Sequence, residues 1–162
     1  MKVAIITCSN RSATGQRPDE SGELLAALAE TDGHDVTSRC IVPDDVDAIR
    51  AAVTVAVRSG AAAVLTTGGT GIAPTDVTPE AVRPLIEREI PGIAELLRLA
   101  PRDRIPTSVL SRQLAGTIGS AIVVTLPGSP GGVRDGWRLL SPLLPHAAAQ
   151  LAGHDHDPGG GA

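Results

Sequence analysis

The chain has 162 residues, 42% of them hydrophobic and 20% charged, which supplies one domain with a proper core. A formal net charge of −4 and an aromatic content of 1%, all of it Trp137, exclude a nucleic-acid surface built on basic patches or stacked rings. Lys2 is the sole lysine, which disfavours P-loop and Schiff-base chemistry, and no apolar run approaches the roughly 18 residues that a membrane span needs.

In chain order, Val3–Thr7 is a short, nearly all-apolar, β-branched run, as expected for a strand covered on both faces. Ser21–Glu30 follows with Leu24, Leu25 and Leu28 on one helical face and a stop at Asp32-Gly33. Asp35–Val42 is a more polar strand, placed nearer an edge. A helix opens near Asp44-Asp45, carries Val46, Ile49, Val53 and Val57, and closes at Gly60. Ala63–Thr67 is a second buried strand. Thr78-Pro79-Glu80 reads as a helix start, with Thr78 as cap and Pro79 at the first helical position. Pro91-Gly92 interrupts before a helix over Ile93–Leu99. Ala121–Leu126 is a third buried strand, and Gly131–Leu144 an amphipathic helix with Val133, Trp137, Leu140 and Leu144 inward. Strands alternating with helices predict an α/β fold, a three-layer α/β/α domain with a mostly parallel sheet, over residues 1–152. Residues 153–162 are expected to form a flexible tail, whose His154, Asp155, His156 and Asp157 have no assigned role. Cys8 and Cys40 lack a Cys-x-x-Cys pattern and no secretory signal is evident; they are expected to be buried, reduced thiols in a cytoplasmic protein.

Ligands of open α/β sheets gather beyond the carboxyl ends of the strands. There the sequence places Ser9-Asn10-Arg11-Ser12, Gly68-Gly69-Thr70-Gly71-Ile72-Ala73-Pro74-Thr75-Asp76 and Pro127-Gly128-Ser129-Pro130-Gly131-Gly132. Glycine turns let consecutive backbone N–H groups converge on phosphate oxygens without a lysine. Asp76, at the mouth of such a turn, would repel a bare phosphate. A Mg²⁺ ion relieves that repulsion, since it typically joins one or two carboxylates to substrate phosphates. Asp44 or Asp45 could reach the same edge, although Asp44 could equally cap the following helix. The Gly-Lys-Ser/Thr ending of a P-loop, the Gly-x-Gly-x-x-Gly dinucleotide pattern and the Gly-x-Ser-x-Gly elbow are all missing, and the histidines show no zinc spacing.

Thr66-Thr67-Gly68-Gly69-Thr70-Gly71-Ile72 followed by Asp76-Val77-Thr78-Pro79-Glu80-Ala81 resembles the signature of the molybdopterin-binding family, which includes bacterial MogA and MoaB proteins and the G domain of gephyrin. Ser9-Asn10-Arg11, Val42-Pro43-Asp44-Asp45, Glu89-Ile90-Pro91-Gly92, Leu110-Ser111-Arg112 and Leu126-Pro127-Gly128-Ser129-Pro130 match in order, over roughly residues 2 to 150. The resemblance implies a homotrimer whose catalytic members transfer AMP from ATP to the phosphate of molybdopterin with Mg²⁺, feeding a molybdate-inserting protein downstream. By matching, Asp44 and Asp76 are the catalytic and metal-binding residues. Ser9, Asn10, Gly68, Gly69, Thr70, Gly71, Thr75, Thr78, Ser111, Gly128 and Ser129 then bind substrate. Thr75 and Asn10 stand where many members carry arginine and aspartate. Two other readings stay open: a homologue that binds molybdopterin without adenylyl transfer, and a nucleotide-pyrophosphate-cleaving domain of the competence-damage type, against which Thr70 argues.

Overall fold

The computed structural model describes residues 1–153, so the histidine-bearing tail falls outside the described residues. The strands are β1 (Lys2–Cys8), β2 (Asp35–Val42), β3 (Ala63–Thr67), β4 (Arg88–Glu89), β5 (Ala115–Ile118) and β6 (Ala121–Leu126). They form one sheet in the order β2-β1-β3-β6-β5-β4. The first four in that order are parallel, whereas β5 and β4 continue it antiparallel.

The helices are α1 (Asn10–Ala13), α2 (Glu20–Thr31), α3 (Val46–Arg58), α4 (Thr78–Val82), α5 (Pro91–Leu99), α6 (Pro130–Leu140) and α7 (Leu144–Leu151), with 3₁₀ turns at Arg83–Leu85 and Pro106–Leu110. Successive strand residues face opposite sides. Val3, Ile5, Leu65, Ile122, Val124 and Leu126 therefore pack with Leu25 of α2, Leu97 of α5, Val133, Trp137 and Leu140 of α6 and Leu144 of α7. Ala4, Ile6, Val64 and Val123 pack on the other face with Ile49 and Val53 of α3 and with Ala81 and Val82 of α4. The result is the expected three layers. Truncating one of these fully buried leucines or isoleucines to alanine costs about 2–5 kcal/mol in such an environment.

Several local expectations change. Asp45, not Asp44, caps α3: its carboxylate accepts from Ala48 N at 2.8 Å. Thr78 does not cap α4, because Val77 holds that position and Thr78 is already helical. The predicted last helix is two, α6 and α7, separated at Ser141-Pro142-Leu143. Cys8 is buried but Cys40 is exposed, since β2 is an edge strand with little cover. Strands β4 and β5 and helix α1 go beyond the elements that hydrophobic periodicity predicts. Among the described residues no helix is long and apolar enough to cross a membrane.

Parallel pairing is what builds the site. Thr7 is level with Thr67, Thr67 with Leu126, and Cys8 with Val42. The loops leaving β1, β2, β3 and β6 therefore emerge side by side. The chain runs from β1 outward to β2 and then crosses back to β3, so the β1 and β3 loops flank the point where strand order reverses.

Candidate functional site

A cavity of about 780 Å³ opens over these loops. The β3 loop forms its floor. Gly68 adopts φ +99, and a Cβ there would lie 2.2 Å from the Cys8 carbonyl oxygen, so only glycine lets β1 and the turn meet this closely. Gly128 brings the β6 loop against the same point, since its own Cβ would stand 3.0 Å from the Gly68 Cα. Thr67 Oγ1 donates to Pro127 O at 2.8 Å and ties the two loops together.

Behind the turn, Thr78 is fully buried; its hydroxyl donates to Gly68 O at 2.9 Å and its amide to Gly69 O at 3.1 Å. Arg112 supplies the next contacts: its amide donates to Thr70 O and its Nε to Gly71 O, both at 2.7 Å. The carbonyls of the turn are thus satisfied from the protein side. Its amides are not. Among the described residues no protein group accepts from Gly69, Thr70, Gly71 or Ile72 N–H, nor from Gly128 or Ser129 N–H beside the start of α6. Unpartnered backbone donors clustered at a cavity wall make an anion cradle, and the positive end of the α6 dipole adds to it.

Two carboxylates stand at the rim. Asp76 Oδ2 accepts from Ala73 N at 2.9 Å and lies 2.6 Å from where a Gly71 Cβ would be, so the side chain leans on the turn. Asp44 Oδ2 accepts from Asn10 N at 2.9 Å, and Asn10 Oδ1 accepts in return from Asp44 N at 3.0 Å. Asp44 Oδ1 lies 3.4 Å from the Cβ position of Gly69. With Asp45 as the cap of α3, Asp44 is released to the cavity. Each carboxylate keeps one oxygen with no protein hydrogen bond among the described residues. Hard oxygen donors beside a phosphate cradle fit Mg²⁺. Among the described residues no group of three or more His, Cys, Asp or Glu could hold a metal, so the protein's share would be these carboxylates and phosphate oxygens would complete it.

Of the sequence-predicted residues, Ser9, Asn10, Asp44, Gly68, Gly69, Thr70, Gly71, Thr75, Asp76, Ser111, Gly128 and Ser129 all line this one cavity. Ser111 joins the group by donating to Thr70 Oγ1 at 3.1 Å. Thr78 is the exception: it does not line the cavity but supports its floor from beneath. Sequence reasoning passed over Thr7 and Arg17, which also line it, as does Arg11 of the Ser9–Ser12 loop, a loop the sequence singled out without giving Arg11 a binding role. Thr7 donates to Asp19 Oδ2 at 2.8 Å, and Asp19 is itself held by Gly22 N and Arg39. Cys8 also lines the cavity, but burial pushes its thiol up to about 12, so it remains protonated and unreactive.

Residues 4–146 match the family model described as a probable molybdopterin binding domain. The chain belongs to the molybdopterin-binding family. It is 41% identical to molybdenum cofactor biosynthesis protein B of Bacillus anthracis, over 93% of this chain and 90% of that one. It is 40% identical to the molybdenum cofactor biosynthesis bifunctional protein of Synechococcus elongatus, over 95% of this chain but 48% of that protein, about half its length. The molybdopterin biosynthesis Mog protein of Mycobacterium ulcerans superposes with a TM-score of 0.88 at 40% identity, covering 93% of this chain and 98% of that one. As a member of this family the chain is a molybdenum cofactor biosynthesis protein.

Proposed function

We propose that the protein binds molybdopterin in this cavity and adenylylates it, using ATP and releasing pyrophosphate. One observation carries the reading: two loops present unpartnered amides to a single cavity whose rim holds Asp44 and Asp76. That arrangement suits a reaction between two phosphorylated substrates, which demands charge neutralisation and in-line positioning more than a covalent nucleophile. A terminal phosphate oxygen of molybdopterin attacks the α-phosphorus of ATP, the new P–O bond forms, and the bond to the β-phosphate bridging oxygen breaks to give pyrophosphate.

In this reading the Gly69–Ile72 amides hold one phosphate and Gly128 and Ser129 with Arg11 hold the other, which is supported by all of them lining the one cavity. Asp76 and Asp44 would hold Mg²⁺, which when bound neutralises charge building on the phosphate oxygens. Thr75, in an exposed position on the rim, offers a hydroxyl to the same substrates. The family resemblance also supports a homotrimer of cytoplasmic protein that delivers its product to a molybdate-inserting partner.

The test is direct: purified protein, molybdopterin, ATP and Mg²⁺ are incubated, and adenylylated molybdopterin and pyrophosphate should appear in equal amounts. Molybdopterin retained without either product would mark a binding homologue and end the adenylylation reading.

A further inference from the structure

Arg112 stands on the far side of the glycine turn from the cavity. Its neighbours Ser111 and Gln113 line the cavity, but Arg112 does not. Three carbonyls of the β3 loop are drawn toward it: Thr70 O by its amide, Gly71 O by Nε, and Asp76 O by Nη2 at 2.5 Å. Its Nη1 pairs with the Glu80 carboxylate, and that contact holds Glu80 below the usual carboxylate range, so the anchor stays ionised.

Every peptide bond here is trans, so each carbonyl and the N–H that follows it point in opposite directions. Drawing Thr70 O and Gly71 O toward Arg112 therefore turns Gly71 N–H and Ile72 N–H away from it. Gly71 and Ile72 are cavity-lining residues, and these are two of the amides that no protein group accepts. The third contact holds the peptide group of Asp76, the carboxylate at the rim.

We propose that Arg112 is a positioning residue: its fork fixes the Gly71–Ile72 and Asp76–Val77 peptide planes, and so aims the Ile72 amide at bound phosphate and sets the backbone that carries the Asp76 carboxylate to the rim. This rests on the reading of the cavity as a molybdopterin site. The fork matters more than the charge. Two of its targets are neutral carbonyls in different parts of the loop, and the side chain is 37% exposed, so solvent screens the guanidinium while leaving its planar geometry in force. A lysine ammonium carries the same charge but not the spaced, coplanar donors that span Gly71, Asp76 and Glu80.

The experiment measures molybdopterin binding by calorimetry for the wild type, Arg112→Ala, Arg112→Lys and Glu80→Gln, with a thermal melt of each. In parallel, the amide NMR signals of Gly71 and Ile72 are followed as molybdopterin is added. Kd should rise at least about tenfold for Arg112→Ala and about fivefold for Arg112→Lys, while Glu80→Gln, which keeps the carbonyl contacts, stays within about twofold. The Ile72 signal should respond to molybdopterin in the wild type and lose that response in both Arg112 variants, whereas Gly71, whose peptide is held by the Arg112 main-chain amide, should respond in all of them. A purely structural arginine would lower the melting midpoint yet leave the folded fraction binding normally with both signals responsive. Wild-type affinity in Arg112→Ala, or full recovery in Arg112→Lys, overturns the proposal. Because binding is the readout, absence of adenylylated product leaves the test standing, whereas absence of binding by the wild type sinks the site reading and this inference together.

Discussion

The cavity has two unlike walls. On one side, in the Gly68–Asp76 loop, the carbonyls of Gly68, Gly69, Thr70, Gly71, Ala73 and Asp76 are engaged by Thr78, Arg112 or the loop's own amide. On the other, the stretch after α5 presents Ile105 and Leu110 partly to solvent. Its backbone hydrogen bonds are local turns within the stretch, and its side-chain ties to other elements are few, among them Ser108 Oγ donating to Arg98 O and Arg104 pairing with Asp135. The first wall is fixed by directional bonds to buried Thr78 and to the three-pronged Arg112, so its geometry is stiff. The second is held by half-buried side chains and tolerates change, as expected where local contacts are sparse. The wall that must place charge to within tenths of an ångström is the one built from backbone.

The largest effect should come from removing charge at the stiff wall. Asp76→Asn retains an acceptor for Ala73 N and the fold with it, but turnover with molybdopterin, ATP and Mg²⁺ should fall about 10³-fold, several kcal/mol of lost charge stabilisation. Unchanged turnover would remove the argument that this carboxylate carries the metal.

Next is the wall's backbone. Gly68→Ala combines a left-handed φ of +99 with a Cβ 2.2 Å from Cys8 O, and should cost about 3 kcal/mol, or roughly 6–12 °C in melting midpoint. Gly131→Ala is the matched control, since a Cβ there meets nothing within 4 Å. Equal midpoints for the two would show that the turn is not stiff at all.

The smallest effect belongs to the soft wall. Ile105→Ala, at a residue 37% exposed, should lower stability by no more than about 1 kcal/mol. A loss as large as that of Gly68→Ala, measured by the same melt, would erase the distinction between the walls.

The same contrast governs what could be read from the chain alone. Ala63–Thr67 and Ala121–Leu126 were legible to the residue because a parallel strand covered on both faces must be continuously apolar. Strand β4 was not: Arg88 and Glu89 are both exposed and their pairing with β5 depends on a partner remote in sequence. The site was legible wherever a motif sat at a strand's carboxyl end, which covers Ser9, Asn10, Asp44, the glycine turn, Asp76, Gly128 and Ser129. Thr78 was misplaced because Thr-Pro-Glu reads locally as a cap, whereas its hydroxyl is taken by Gly68 O in a contact only the folded chain creates. Arg112 showed nothing of its role for the same reason, since its partners are Gly71 and Asp76 in the β3 loop and Glu80 in α4, all remote in sequence.

Satisfying the turn's carbonyls from behind leaves a surface with only donors in front, and main-chain amides do not titrate. A lysine or histidine cradle would gain and lose anion affinity as the solution became acid or alkaline. Here the amides' share of that affinity does not vary with proton concentration, which leaves the ligand's own phosphate as the group through which acidity acts on this contact.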